Sequence, residues 1–144
     1  CVVDIYSRFL FESAVFEKAQ EKFLMPEDLK ALMLDAQEQS YGDGLDPAFR
    51  HPYMWACKGH YYSSGLSFYN FPYAFGNLFA QGLYALYQQE PEGFVPKYCE
   101  MLRTTGVRTV EESGQLMGLD LTKKDFWEAS LKMIADEIDA FCAL

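Results

Sequence analysis

Apolar residues recur at helical spacing along most of the chain. Val2, Ile5, Tyr6, Phe9 and Phe16 fall near one face of a segment over 2–22, with Arg8, Glu12, Glu17 and Lys18 left polar. Pro26 followed by Glu27 and Asp28 predicts a second helix reaching about Ser40, because proline suits the first helical turn and acids there complement the helix dipole. Tyr41-Gly42-Asp43-Gly44 ends it, and a loop with Pro47 and Pro52 follows. From Phe71 the residues Phe75, Leu78, Phe79, Leu83 and Leu86 keep helical spacing to about Gln89. That helix is apolar around most of its circumference and is expected at the centre of a bundle. Glu90-Pro91-Glu92-Gly93 breaks the chain, and Phe94, Val95, Tyr98, Met101 and Leu102 mark a helix ending before Gly106. Thr109 with Glu112 forms a capping-box pattern opening a short helix that Gly118 closes. Thr122 with Asp125 predicts a similar start for the last helix, whose stripe is Trp127, Leu131, Ile134, Ile138 and Phe141. No strand pattern, long repeat or low-complexity segment is found. The expectation is an all-α helical bundle, with 1–144 a single segment.

Composition narrows the partners. At 144 residues the chain is about one domain long. Its net charge of -9 argues against nucleic acid, which requires clustered Lys and Arg. No apolar run approaches the roughly 18 residues of a membrane span, and no signal-peptide pattern opens the sequence, so no membrane partner is expected. Cys1, Cys57, Cys99 and Cys142 are scattered without CxxC pairing and read as reduced thiols of a soluble, cytoplasmic protein. The sequence opens on Cys1, within a helical pattern, as a fragment would.

Chemistry concentrates in His51–Phe75, HPYMWACKGHYYSSGLSFYNFPYAF, which holds both histidines and nine of the 24 aromatic residues. A helical zinc site needs two histidines four apart and a third protein ligand. His51 and His60 are nine apart, and the CxxH spacing of Cys57 and His60 has no second ligand pair, so no metal site is expected within the chain. Ser63 and Ser64 lie near His60 without a GxSxG elbow, and no glycine pattern matches a phosphate-cradling loop. What remains is a strip of hydrogen-bond donors, namely His60, Tyr61, Tyr62, Tyr69 and Tyr73. Such groups can stabilise a carbonyl oxygen that becomes an oxyanion, or can simply fill space between a loop and a helix.

The residues of this strip carry a resemblance. HPYMWACKGHYYSSGLSFYNFPYAFGNLFAQGLYALY resembles the C-terminal part of the oligoendopeptidase F family of zinc metallopeptidases (M3 type). VVDIYSRFLFE, AQEQSYGDGLD, FVPKYCEMLRTTG and DFWEASL resemble the same family in the same order. The resemblance implies the C-terminal portion of a larger, mostly helical zincin-type peptidase domain that cleaves internal bonds of short peptides. In that family one zinc is held by the two histidines of HExxH and a later glutamate, none of which this chain contains. The chain looks, on this resemblance, like the opposite wall of the active-site cleft, and a missing N-terminal part is an implied partner. On this resemblance His60 takes the place of the transition-state-stabilising histidine. Tyr69 and Tyr73 match the tyrosine-rich segment that follows, and Tyr62 and Gly65 are substrate-binding candidates. Phe71 departs from the pattern, since more distant relatives carry a tyrosine near this point. Gly65 is expected to permit loop movement and Gly76 close helix packing.

These readings make the parent protein an enzyme and this chain alone inactive, with an exposed apolar face able to drive self-association. The competing expectation is a stand-alone, catalytically inactive helical module that binds peptides. A third is a scaffold with no ligand.

Overall fold

The computed structural model describes residues 1–144 and is all-α, with six helices and no strand. They are α1 (Val2–Ala19), α2 (Pro26–Tyr41), α3 (Phe71–Gln89), α4 (Phe94–Thr104), α5 (Val110–Leu116) and α6 (Lys124–Cys142). Four short 3-10 turns occupy about half of the interval between α2 and α3. None of the helices is long and apolar enough to cross a membrane, and all four cysteines are free. The chain divides into two compact units, Cys1–Phe75 and Gly76–Leu144, with the boundary inside α3.

In the first unit α1 packs on α2 around Phe11, Leu32, Met33 and Ala36, with Val15, Leu29, Trp55 and Tyr61 around them. α1 stops three residues short of the predicted end. Pro26 biases the residue before it away from helix, and Met25 is extended (φ -88°, ψ 161°). The Met25 amide donates to the Asp28 carboxylate at 2.9 Å, and the Lys22 ammonium does so at 2.7 Å. Those two bonds, the lysine first, hold the Asp28 carboxyl below its usual range.

The buried face of α1 is not the predicted one. Ile5, Ser7, Phe11 and Glu12 are buried, while Tyr6, Phe9 and Phe16 are exposed. Two residues assigned to the polar side, Arg8 and Glu12, thus point into the unit. The reason lies in what they bind, the chain entering α3, described below.

In the second unit Leu83, Met101 and Met117 form the core, with Phe79, Phe94 and Tyr98 packed on it. Helix starts here follow local chemistry. Gly93, at φ 74°, turns the chain into α4. At α5 the capping box forms as predicted: the Glu112 amide donates to Thr109 Oγ1 at 3.2 Å, and the Thr109 amide to the Glu112 carboxylate at 2.9 Å. The box predicted at Thr122 does not form. Asp120 captures both the amide (3.1 Å) and the hydroxyl (2.6 Å) of Thr122 in a local turn, and α6 begins after Lys123 without a side-chain cap.

Two stripes also differ from expectation. α3 buries only Gly82, Leu83 and Ala85, so its broad apolar surface does not make it a fully buried helix. α6 buries Phe126 and Ser130 rather than the predicted line, and its Leu131, Ile138 and Phe141 stay exposed, Phe141 at 74%. The physical cause is a close helix crossing. A Cβ at Gly82 would lie 2.4 Å from the Phe126 ring and 2.5 Å from Ser130 Oγ, so α3 reaches α6 only because Gly82 has no side chain. Ser130 answers by turning its hydroxyl onto the Phe126 carbonyl at 2.9 Å. Gly76, the glycine expected to serve packing, has nothing within 4 Å of its would-be Cβ.

The two glycines therefore separate in a stability measurement. Gly82→Ala is expected to cost about 1–3 kcal/mol through overpacking, read as a lower urea midpoint. Gly76→Ala is expected to stabilise by about 0.5–1 kcal/mol, the usual gain from removing glycine inside a helix.

Candidate functional site

The strip between α2 and α3 has little regular hydrogen bonding of its own, so other groups must hold its backbone. At its start Gln37 of α2, 1% exposed, does this with both ends of its amide. Its nitrogen donates to the His51 carbonyl at 3.0 Å, and its oxygen accepts from the His51 amide at 3.0 Å. The His51 ring is used locally, Nδ1 accepting from the Tyr53 amide at 3.2 Å. Two 3-10 turns follow, Met54–Cys57 and Gly59–Tyr62, suited to a stretch of small and aromatic residues without helical periodicity. They deliver Trp55 and Tyr61 to Phe11: Trp55 stacks at 6.5 Å and Tyr61 meets it edge-on at 5.4 Å.

At the far end the strip is held by α1. The Phe68 amide donates to the Glu12 carboxylate at 2.7 Å, and Arg8 donates to the Asn70 side-chain oxygen at 3.0 Å. Arg8 also pairs with Asp4, one turn back on α1. Phe68 has φ 55°, a left-handed conformation that costs a non-glycine residue about 1–3 kcal/mol. Its ring lies between Phe9 and Phe16, at 5.6 and 5.5 Å.

The sequence-derived residues fall into two sets. His60, Tyr69 and Tyr73 come together: the His60 and Tyr69 rings are 5.0 Å apart, and Tyr69 meets Tyr73 edge-on at 6.0 Å. A hydrogen bond with Tyr69 holds the Tyr73 phenol above its usual range. His60 and Tyr62 line a cleft of about 480 Å³ whose walls include Phe11, Val15, Leu29 and Trp55, with Ser63, Ser64 and Ser67 also lining it. The Tyr62 hydroxyl is spent inside the strip, donating to the Ala56 carbonyl at 3.1 Å. Gly65 is exposed, and nothing lies within 4 Å of its would-be Cβ, so neither packing nor backbone conformation demands glycine there. Phe71 is exposed at the first turn of α3 and offers no hydroxyl.

Sequence reasoning missed Glu12, Arg8, Gln37 and Asn70, which hold the strip from outside. Asp4, Arg8 and Glu12 form an i, i+4, i+8 line of charge on α1, of which the sequence marks Arg8 and Glu12 only as polar positions beside the apolar stripe. Tyr61 was recognised only as one donor among several. Burial, and then the Glu12 charge, push its phenol far above the usual range, so it stays protonated. Cys57 donates its thiol to the Met54 carbonyl at 3.1 Å. No three His, Cys, Asp or Glu side chains gather into a group that could hold a metal ion.

Over 130 residues, 90% of its length, the chain is 28% identical to oligopeptidase PepF of Bacillus subtilis (strain 168). The similarity is to a peptidase. The chain spans 19% of the length of that relative. No family model matches the sequence, and no solved structure matches it. The similarity to PepF supports a peptidase-related origin for the chain.

Removing one hydroxyl tests the tyrosine pair. In Tyr69→Phe the phenol of Tyr73 loses the hydrogen bond that favours its protonated form, so it is expected to ionise at lower pH than in the parent chain. The ring-carbon shifts of Tyr73, followed by NMR through alkaline titration, check this directly.

Proposed function

We propose that this chain is the substrate-binding part of a zinc metalloendopeptidase that hydrolyses internal bonds of short oligopeptides. The supporting observation is the similarity to an oligopeptidase along 130 residues, in a chain that brings His60, Tyr69 and Tyr73 together beside a cleft. By this reading a peptide lies along the strip with one side chain in the cleft. Phenolic hydroxyls and the His60 imidazole donate to the scissile carbonyl, and the bonds strengthen as charge collects on its oxygen.

The donor set for zinc is not gathered within this chain. In this proposal the metal and the residues that activate water belong to another part of a longer cytoplasmic protein. The apolar side chains exposed on α6, such as Ile138 and Phe141, are then surfaces for that part or for a second copy to cover. A stand-alone peptide-binding module is the second reading, favoured by the cleft and its donors being present where a metal-holding group is not.

Peptide binding and hydrolysis test these readings together. The pure 144-residue chain is expected to bind short unstructured peptides and to cleave none, with or without added zinc. His60→Ala is expected to weaken binding about 3–10-fold, the equivalent of one lost hydrogen bond. Cleavage by the pure chain that a chelator abolishes would overturn the division of labour. Binding unaffected by His60→Ala would overturn the role of the strip.

A further inference from the structure

We infer that Glu12 and Arg8 of α1 are positioning residues that set the Tyr69 ring against His60, an inference that deepens the peptide-binding reading and rests on it. Tyr69 sits between two anchored neighbours. On one side the Phe68 amide is fixed to the Glu12 carboxylate at 2.7 Å, and on the other the Asn70 side chain is fixed to Arg8 at 3.0 Å. Both anchors are withdrawn from solvent: Glu12 is 8% exposed and Asn70 3%. Tyr69 itself is 40% exposed, and beyond its ring contacts with His60 and Tyr73 and its amide's bond to the Leu66 carbonyl at 3.3 Å, its place is set through its neighbours.

Phe68 makes the anchoring necessary. A phenylalanine at φ 55° relaxes toward ordinary backbone unless its surroundings oppose it. The Phe9 and Phe16 rings grip its side chain, but only Glu12 holds its amide. A charged acceptor makes a bond about twice as strong as a neutral one. Release of that amide would let the residue turn and swing Tyr69 away from both His60 at 5.0 Å and Tyr73 at 6.0 Å. The buried polar face of α1 thus has a function that a stripe of leucines could not supply: it fixes the donor geometry of a loop. Glu12 and Arg8 act through Phe68 and Asn70 and donate nothing to the peptide carbonyl.

The test uses the 144-residue chain in wild-type, Glu12→Ala, Glu12→Gln and Arg8→Met forms. NMR reads cross-peaks between the His60 and Tyr69 rings, with the Met33 methyl shift as a control for the core of the first unit. Affinity is measured in parallel for an end-blocked peptide of alanine, glycine and phenylalanine. Glu12→Ala is expected to lose the ring cross-peaks at an unchanged Met33 shift and to bind about tenfold more weakly. Glu12→Gln, which keeps an oxygen for the Phe68 amide, is expected to retain the cross-peaks. Arg8→Met, expected to weaken the cross-peaks, leaves the Glu12 anchor in place and carries the measurement if Glu12→Ala does not fold. Cross-peaks that persist in Glu12→Ala or Arg8→Met would overturn the inference. Cross-peaks lost while affinity stays at the wild-type level would uphold the anchoring and overturn the peptide-binding reading instead.

Discussion

An irregular segment inside a helical protein must find partners for its backbone outside itself, and this requirement organises the first unit. The strip from His51 to Asn70 lacks a helix or strand ladder, and its 3-10 turns satisfy only part of its polar groups. Gln37 closes one end with a paired amide contact, and Glu12 and Arg8 close the other. Each of these side chains leaves water to do so. An unpaired buried polar group costs about 1–3 kcal/mol, so the bonds these anchors make offset much of their burial, while Arg8 Nε and Asn70 Nδ2 stay buried without a protein partner. The aromatic contacts of Phe11 with Trp55 and Tyr61 then fill the space these anchors define.

Helix positions were largely legible in the sequence, because the signals that start and stop a helix are local. Pro26 with its acids, Gly93 and the Thr109–Glu112 box each act within a few residues and appear where the pattern placed them. Thr122 was misread for an equally local reason: Asp120, two residues earlier, competes for the same groups. The faces the helices bury were harder to read. On α6 the strongest apolar stripe is not the buried one, since the crossing is decided by Gly82 on α3 rather than by hydrophobicity. On α1 a carboxylate and a guanidinium turn inward because acceptors and donors more than fifty residues away require them. Periodicity carries no information about such partners.

The candidate site shows the same division. Residue types and a family resemblance singled out His60, Tyr69 and Tyr73, and these rings do lie next to one another. Tyr62 lines the cleft but commits its hydroxyl to the strip, and Gly65 meets no neighbour that explains a glycine there. What types could not convey is the support beneath the site. Gln37 and Asn70 are ordinary amides in the sequence, and only their depth in the unit sets them apart.

Each compact unit contains one of the chain's two tryptophans, in unlike surroundings. Trp55 lies in the first unit, stacked on Phe11 and tilted against Tyr53, with its indole nitrogen buried and unbonded. Trp127 lies in the second, its indole donating to the Leu121 carbonyl at 2.9 Å and its ring edge-on to Phe126. The protein thus carries a separate built-in optical reporter for each half. With either tryptophan replaced by phenylalanine, intrinsic fluorescence reports on the other unit alone.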